Sequence, residues 1–455
     1  MTSALTPLDQ SQLNDLGTAF DQREANRIAM NAVTQAGIDQ VAHNYDRSRL
    51  VQHRFSVSVD NGKVTSQAHS GRCWLFSSLN VARFVARKAL NIDASSPANP
   101  MGDFEFSQNY AMYYDKLERV NYFLRDMAAL VRAGEPTDSQ LMQFLLGDVM
   151  GDGGQWIMAM NIYKKYGAVP KQFYPETASS QNTGEMDHQL RRLLHQAVAH
   201  MVADPSKIDQ IIAETTQAGH RILTIHLGTP PTSFDWEWTD KDGVFHRDGR
   251  ITPQEFWKKY VDAGLEDYVC LVDDPRREHP KGTKIGIEHL GNVAGGDPTE
   301  YLNVPMDFMK DCARRLMAEQ GLPVWFGADC HPMMDRKAGQ WATDLFEYGR
   351  VYDVDFDMDK EERVRFGDSA QNHAMAFVGV DVADDGTTTT NRWRVENSWG
   401  GDIANKGYFT MSDDWFTEYV YEVAVPKSML PEEYRKAFDQ PALMLPAWDP
   451  MGALA

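Results

Sequence analysis

Two apolar runs near the C-terminal end constrain this chain more than any other feature. Asn372-His373-Ala374-Met375-Ala376-Phe377-Val378-Gly379-Val380 and Asn391-Arg392-Trp393-Arg394-Val395-Glu396-Asn397 flank Ala383-Asp384-Asp385-Gly386-Thr387, a turn composition, so the runs read as an antiparallel hairpin. With the tip near Asp385, positions equidistant from it face one another. His373 and Asn397 are each twelve positions from that tip and become cross-strand neighbours. Alternation places Asn397 on the face of Trp393 and Val395, with Trp399 continuing it. An amide in that apolar setting orients an imidazole without adding a charge.

A second pattern supplies a partner. After His69-Ser70-Gly71, poor helix material, Leu75, Leu79, Ala82, Ala86 and Leu90 recur at helical intervals with Arg83, Arg87 and Lys88 mostly opposite. Cys73 thus starts an amphipathic helix. The free N–H groups and positive end of a helix favour a thiolate, and an imidazolium favours it further, so the thiol pKa is expected to fall from about 8.5 to between about 3.5 and 7.5. Six residues upstream, the Gln67 side-chain amide joins the Cys73 backbone N–H as an expected pair of donors to an oxyanion. Cys73, His373, Asn397 and Gln67 form one candidate acyl-transfer site.

The remainder is read more coarsely. At 455 residues the chain holds two or three structural units. Helical spacing in Leu8, Leu13, Leu16 and Phe20 predicts an N-terminal helical arm to about residue 43. Short strands are expected at Arg54 to Val59 and Val64 to Gln67, about an Asp60-Asn61-Gly62 turn. Helices are expected at Tyr110 to Leu130, Ser139 to Met150, Gln155 to Tyr166 and Met186 to Val202. Strands follow at Ile222 to Leu227, Tyr268 to Leu271 and Pro323 to Ala328, and the chain is mainly β after residue 373. His188, His195 and His200 lack carboxylate or cysteine company, Cys330-His331 is adjacent rather than spaced and Cys312 is distant, so no metal site is expected. Gly291 to Gly296 lacks the ending of a phosphate loop, and Asp355 to Glu362 reads as a solvated acidic face.

Several phrases carry a family resemblance. Gln67-Ala-His-Ser-Gly-Arg-Cys73-Trp74, the isolated His373 and Asn397-Ser-Trp399-Gly400 resemble papain-type cysteine peptidases. Ser70 stands where secreted members carry a disulfide cysteine, and 300 residues separate Cys73 from His373, so about 150 residues are inserted relative to the usual spacing. Asp60-Asn-Gly-Lys-Val-Thr-Ser-Gln67, Asp103-Phe-Glu-Phe-Ser-Gln-Asn109, Asp152-Gly-Gly-Gln-Trp156 and the tail Leu445 to Ala455 are similar to the bleomycin hydrolase and aminopeptidase C family. The resemblance implies an α+β fold. In it a papain-like helical half carries the nucleophile, an antiparallel β half carries His373 and Asn397, and large helical insertions are added. It implies a helical arm at 1–50, the nucleophile half with part of the insertion at 51–165, an inserted helical and mixed region at 166–320, the β half at 321–440 and a cleft-docking tail at 441–455. It also implies a homohexameric ring with enclosed active sites. Gly153 and Gly154 match the backbone stretch that pairs with substrate, Ala455 the tail end beside the scissile bond, and Trp399 a further substrate-side residue.

Composition decides between function classes. A net charge of -20 repels phosphate backbones, so nucleic acid is not an expected partner, and 42% hydrophobic with 24% charged residues excludes a disordered chain. No apolar run is long enough for a membrane span. Residues 1–15 do not read as a cleavable signal and four cysteines make no disulfide scaffold, so a reducing cytoplasm is expected. The expected activity is that of a cysteine aminopeptidase acting on peptides through a thioester, with no metal or organic cofactor. Two alternatives are kept: an amide hydrolase specialised for a non-peptide compound, and a nucleic-acid-binding regulator, which would need its basic residues gathered in one place.

Overall fold

A computed structural model of the chain describes residues 5–59, 62–92, 104–261, 264–385 and 387–454. Asp60 and Asn61 of the expected turn, Asp103, Gly386 of the expected hairpin tip and Ala455 lie outside the described residues. The N-terminal arm is helical, as Gln10–Gln22 and Glu24–Ala36. Asp9 caps the first of these with a reciprocal bond from Gln12. No residue of either helix is buried, and Leu8, Leu13, Leu16, Phe20, Ile28 and Met30 stand exposed.

The middle of the chain forms the expected helices, as Gln108–Ala133, Gln140–Gly147, Trp156–Tyr166 and Gly184–Ala203. The strand expected at Ile222 to Leu227 is instead the end of helix Ile208–Leu227. Its buried residues Ile208, Ile212, Thr215, Gly219, Leu223 and Leu227 keep one helical stripe, and Gly219 lets that stripe meet Val120 of Gln108–Ala133, where a Cβ would stand 3.2 Å from Val120. A six-residue apolar window is too short to distinguish a strand from the last turns of such a helix.

Among the described residues Phe234–Thr239 and Phe245–Ile251 form the smaller of two sheets, and the larger has twelve strands. Its main path runs Leu443–Leu445, Lys284–Ile287, Glu300–Asn303, Tyr268–Val272, Val420–Pro426, Val324–Ala328, His373–Val382, Thr390–Glu396, Tyr408–Ser412, Gln340–Trp341, Met334–Asp335. The strands expected near 268 and 323 are therefore present. Val57–Ser58 is all that forms of the strand expected at Arg54 to Val59. Strand Val324–Ala328 occupies one edge of His373–Val382 from His373 to Phe377, leaving only Gly379 and Val380 for Val57–Ser58. Gly379 permits that approach, since a Cβ there would stand 2.8 Å from the Val57 carbonyl oxygen. Val64 to Gln67 makes no strand, only a bridge from Ser66 to Trp399.

The expected hairpin forms between His373–Val382 and Thr390–Glu396, with a different register. Ala376 faces Glu396 and Phe377 faces Val395, with irregularities at Phe377/Gly379 and Asp381/Val382. The ladder is thus centred beyond Asp385, whose carboxylate accepts the Thr387 N–H at 2.9 Å and draws the turn onward. Moving the centre by one residue shifts the pairing by two, which preserves each side chain's face. The expected direct pairing of His373 with Asn397 is replaced by a register whose continuation sets Trp399 across from His373.

Helix Cys73–Leu90 packs on strand His373–Val382 and buries both. Within that contact Arg83 bonds Glu396 at 2.7 Å and the Lys63 carbonyl at 2.9 Å, with both ion-pair side chains at most 2% exposed. Removing the cation alone strands a buried carboxylate. Arg83→Leu is expected to lower unfolding stability by about 3–5 kcal/mol in denaturant titrations, and Arg83→Leu with Glu396→Leu to recover most of it. A single variant within experimental error of wild type would show that the pair is not a fixed joint.

Candidate active site

Cys73 is the first residue of its helix, and the turn that presents it is held by charges removed from water. Arg72, 1% exposed, pairs with Glu176 at 2.9 Å and donates through Nε to Ser70 Oγ at 2.9 Å. Gly71 N–H bonds Asp152 Oδ2 at 2.9 Å, and Trp74 Nε1 bonds the Asp152 carbonyl at 2.6 Å. Asp152 is anchored in turn by Lys116 at 2.8 Å and Thr183 Oγ1 at 2.5 Å. Burial alone would raise its pKa, but Lys116 prevails and holds Asp152 well below the usual carboxylate range.

His373 Nε2 lies 2.8 Å from Asn397 Oδ1, and the Ser398 N–H donates to the same oxygen at 2.7 Å. Two donors on one atom identify it as the amide oxygen, so Nε2 carries the ring proton and Nδ1 is left as the basic nitrogen. The Trp399 ring stacks on the imidazole at 5.0 Å and 21°, and the Arg336 guanidinium lies over the Trp399 ring, 4.7 Å from its centroid. Ala374, the residue after His373, hydrogen-bonds the Cys73 sulfur through its backbone, which brings thiol and imidazole into one site.

The electrostatics correct one expectation. Burial pushes the Cys73 thiol up to about 11, with the backbones of Ala374, Trp74 and Cys73 acting the other way, and burial pushes His373 down to about 4 against the bond it donates to Asn397. The thiol pKa is therefore not lowered by the helix end in this enclosed arrangement, because desolvation outweighs the N-terminal dipole. Each charge is disfavoured singly. A thiolate–imidazolium pair would carry no net charge.

Gln67 joins the site through main chain and side chain. Its N–H bonds the Ser398 carbonyl at 2.8 Å, its Oε1 accepts from Ser398 Oγ at 2.5 Å, and its Nε2 donates to the Ser70 carbonyl at 2.5 Å. One amide hydrogen is engaged on Ser70 and the second remains. Gly154 lies under Trp74, the residue after Cys73: a Cβ there would stand 2.5 Å from the Trp74 ring. The Gly153 carbonyl accepts from Arg119 Nη2 at 2.6 Å.

The tail lies against the same wall. Leu443–Leu445 runs parallel to Lys284–Ile287, Asp449 receives both guanidinium nitrogens of Arg276 at 2.7 and 2.8 Å, and Gln155 Nε2 donates to the Ala453 carbonyl at 2.7 Å. Gly452, Ala453 and Leu454 share with Gly153, Phe144 and His289 the lining of a cavity of about 630 Å³. Among the described residues, no three His, Cys, Asp or Glu side chains group to hold a metal ion. Sequence reasoning missed Arg72, Lys116, Glu176, Ser398 and Arg336. The family phrase Asp152-Gly-Gly-Gln-Trp156 pointed to the neighbourhood of Asp152 but not to its role.

The His373 shift has a definite sign. A base whose pKa is lower in the folded state takes up its proton first in the unfolded chain, so this contribution makes stability rise with pH from about 4 to about 6.5 and is complete above that. Urea titrations across this window are expected to show a slope steeper by close to one proton in wild type than in His373→Gln. Equal slopes would mean that the folded site holds a charged imidazole.

The sequence pattern of the Peptidase C1-like family matches residues 7–452. Aminopeptidase C of Lactobacillus delbrueckii subsp. lactis is 37% identical over 453 residues, 97% of each chain. Bleomycin hydrolase of Homo sapiens is 40% identical over 439 residues, 94% of each chain. The crystal structure of PepW from Lactobacillus rhamnosis HN001 superposes with a TM-score of 0.92 at 36% identity, covering 99% of this chain and 100% of the other. A whole-chain family match, relatives of equal length and a Cys–His–Asn site on a shared fold place the chain in the Peptidase C1-like family of papain-type cysteine peptidases.

Proposed function

We propose that this chain is a cysteine aminopeptidase that releases N-terminal residues from peptides. The observation that carries the reading is the Nε2-protonated His373, fixed by Asn397, beside a Cys73 that opens a helix. His373 Nδ1 takes the thiol proton, and the Cys73 sulfur attacks the scissile carbonyl. The free Gln67 amide hydrogen and the Cys73 N–H hold the oxyanion. His373 returns the proton to the departing amine, and water then cleaves the thioester. Trp399, stacked on the imidazole, helps to orient His373 and is the further residue on the substrate side. The backbone at Gly153 and Gly154 pairs with the substrate main chain.

Exopeptidase character rests on the tail. Its tip closes one end of the cavity beside Gly153, and the Ala455 carboxylate, outside the described residues, is the partner for a protonated substrate N-terminus. Relatives named bleomycin hydrolase extend the reading to amide hydrolysis of that compound. Free thiols at Cys73, Cys270, Cys312 and Cys330 fit a cytoplasmic setting. The exposed apolar face of helices Gln10–Gln22 and Glu24–Ala36 supports self-association into a closed homohexamer, in which a second copy covers that face.

Two experiments test this. Hydrolysis of matched free-amine and N-acetylated peptides is expected to favour the free amine by about ten- to a hundredfold in kcat/KM, to vanish in Cys73→Ala, and to lose its preference when Gly452 to Ala455 are deleted. Turnover above a few per cent in Cys73→Ala moves the nucleophile elsewhere. Light scattering is expected to give a closed oligomer for the full chain and smaller species after deletion of residues 1–36. An active full-length monomer at assay concentration refutes the ring.

A further inference from the structure

Glu422 is a carboxylate that the proposed chemistry leaves unused. It lies within strand Val420–Pro426, paired with Val272 on one side and Gly327 on the other, and is 1% exposed. Gln371 Nε2 stands 3.3 Å from Glu422 Oε2 and 2.8 Å from Gln155 Oε1, and Gln155 Nε2 reaches the Ala453 carbonyl at 2.7 Å. Gln371 and Gln155 are 8% and 1% exposed. Gly327 makes room for the first amide, since a Cβ there would stand 2.3 Å from Gln371 Cδ. Among the described residues Glu422 Oε1 has no hydrogen-bond partner, and Glu422 and Gln371 line a cavity of about 10 Å³, roughly one water, together with Pro450 and Met451 of the tail.

We infer that Glu422 is a positioning residue for the C-terminal tail, acting through Gln371 and Gln155 on the Ala453 carbonyl, and that its ionised form tightens the seat of the tail beside Gly153. The consequence for catalysis rests on the reading that the tail sets exopeptidase selectivity. Gln371 Nε2 has two hydrogens: one meets Glu422 and the other meets Gln155 Oε1, which leaves Gln155 Nε2 to hold the tail. An ionised carboxylate at the head of this relay accepts a charge-assisted bond. A protonated one, with its hydroxyl on the unpartnered Oε1, accepts from Gln371 only through a neutral carbonyl oxygen, so the charge assistance is lost and the order toward the tail weakens with it.

The switch falls in the working range. Burial pushes Glu422 up to about 7, with bonds from Cys270 and Gln371 acting the other way. The titratable groups facing it are the Cys270 thiol and the Tyr301 hydroxyl, both driven well above their ordinary values by burial and therefore neutral. The nearby tail charge, Asp449, is paired with Arg276. Tail seating accordingly strengthens as pH rises through about 7.

The test is hydrogen exchange, corrected for intrinsic rates, at the Gly452 and Ala453 amides, which bond the Asp449 and Pro450 carbonyls. Full-length wild type, Glu422→Gln and Gln155→Met are compared at pH 6 and pH 8, with kcat/KM ratios for free and acetylated peptides measured in parallel. Wild-type protection is expected to rise about fivefold between the two pH values and both variants to be flat. Gln155→Met breaks the relay at its tail end and leaves Glu422 in place, so it decides the matter should the strand variant fold poorly. A step in Gln155→Met equal to wild type, or no step in wild type, overturns the inference. Titration of the substrate amine is common to all three proteins and cancels. A wild type without preference for free amines would overturn the aminopeptidase reading instead, and the exchange data would still decide the relay.

Discussion

Buried cations with distant partners hold this molecule in one arrangement. Arg83 reaches Glu396 across the junction of helix and sheet, Arg72 reaches Glu176, and Lys116 bridges Asp152 and Asp187, with each cation at most 2% exposed. Such pairs contribute little net stability over an apolar packing of the same shape, but a misdocked helix leaves charges stranded in a medium where each costs several kcal/mol. That asymmetry makes them effective in excluding alternatives. Their partners converge on the turn Ser70-Gly71-Arg72-Cys73 and on strand Thr390–Glu396, the two places whose relative position sets thiol against imidazole.

Around that joint, burial decides the chemistry. Desolvation opposes either charge alone on Cys73 and His373. A carboxylate in place of Asn397 would favour a standing imidazolium. The amide oxygen, shared by His373 and the Ser398 N–H, instead selects a tautomer and an orientation. Ser398 and Gln67 couple that loop to the segment leading into Cys73 through main chain and side chain at once.

The tail is built into the same body. A parallel strand pairing at Leu443–Leu445, the Arg276–Asp449 fork and the Gln155 bond to Ala453 hold it at successive points. A terminus secured this way behaves as a wall of the cavity rather than as a frayed end. Two of these contacts use groups whose own partners are buried, Asp274 behind Arg276 and Gln371 behind Gln155.

Local chemistry made much of this legible in advance. Helical spacing from Cys73 onward, the β-rich composition after residue 373 and the turn residues between the two runs are properties of short windows, and each predicted element formed. The face on which Asn397 lies survived a shift of register because the shift was by two. What failed was set at long range. Ile222 to Leu227 is helical because its stripe meets Val120, about a hundred positions away, and Val57–Ser58 is short because another strand already holds the edge it would extend along. The hairpin centre moved with one turn bond from Asp385. The thiol pKa followed the depth of the site rather than the helix end, since the dipole is a local effect and desolvation depends on everything packed around it. Sequence periodicity determined which elements exist and which residues they present. Only the tertiary structure decided which buried charges meet, in what register, and how far from water, because each of those depends on partners that the chain reaches only by folding.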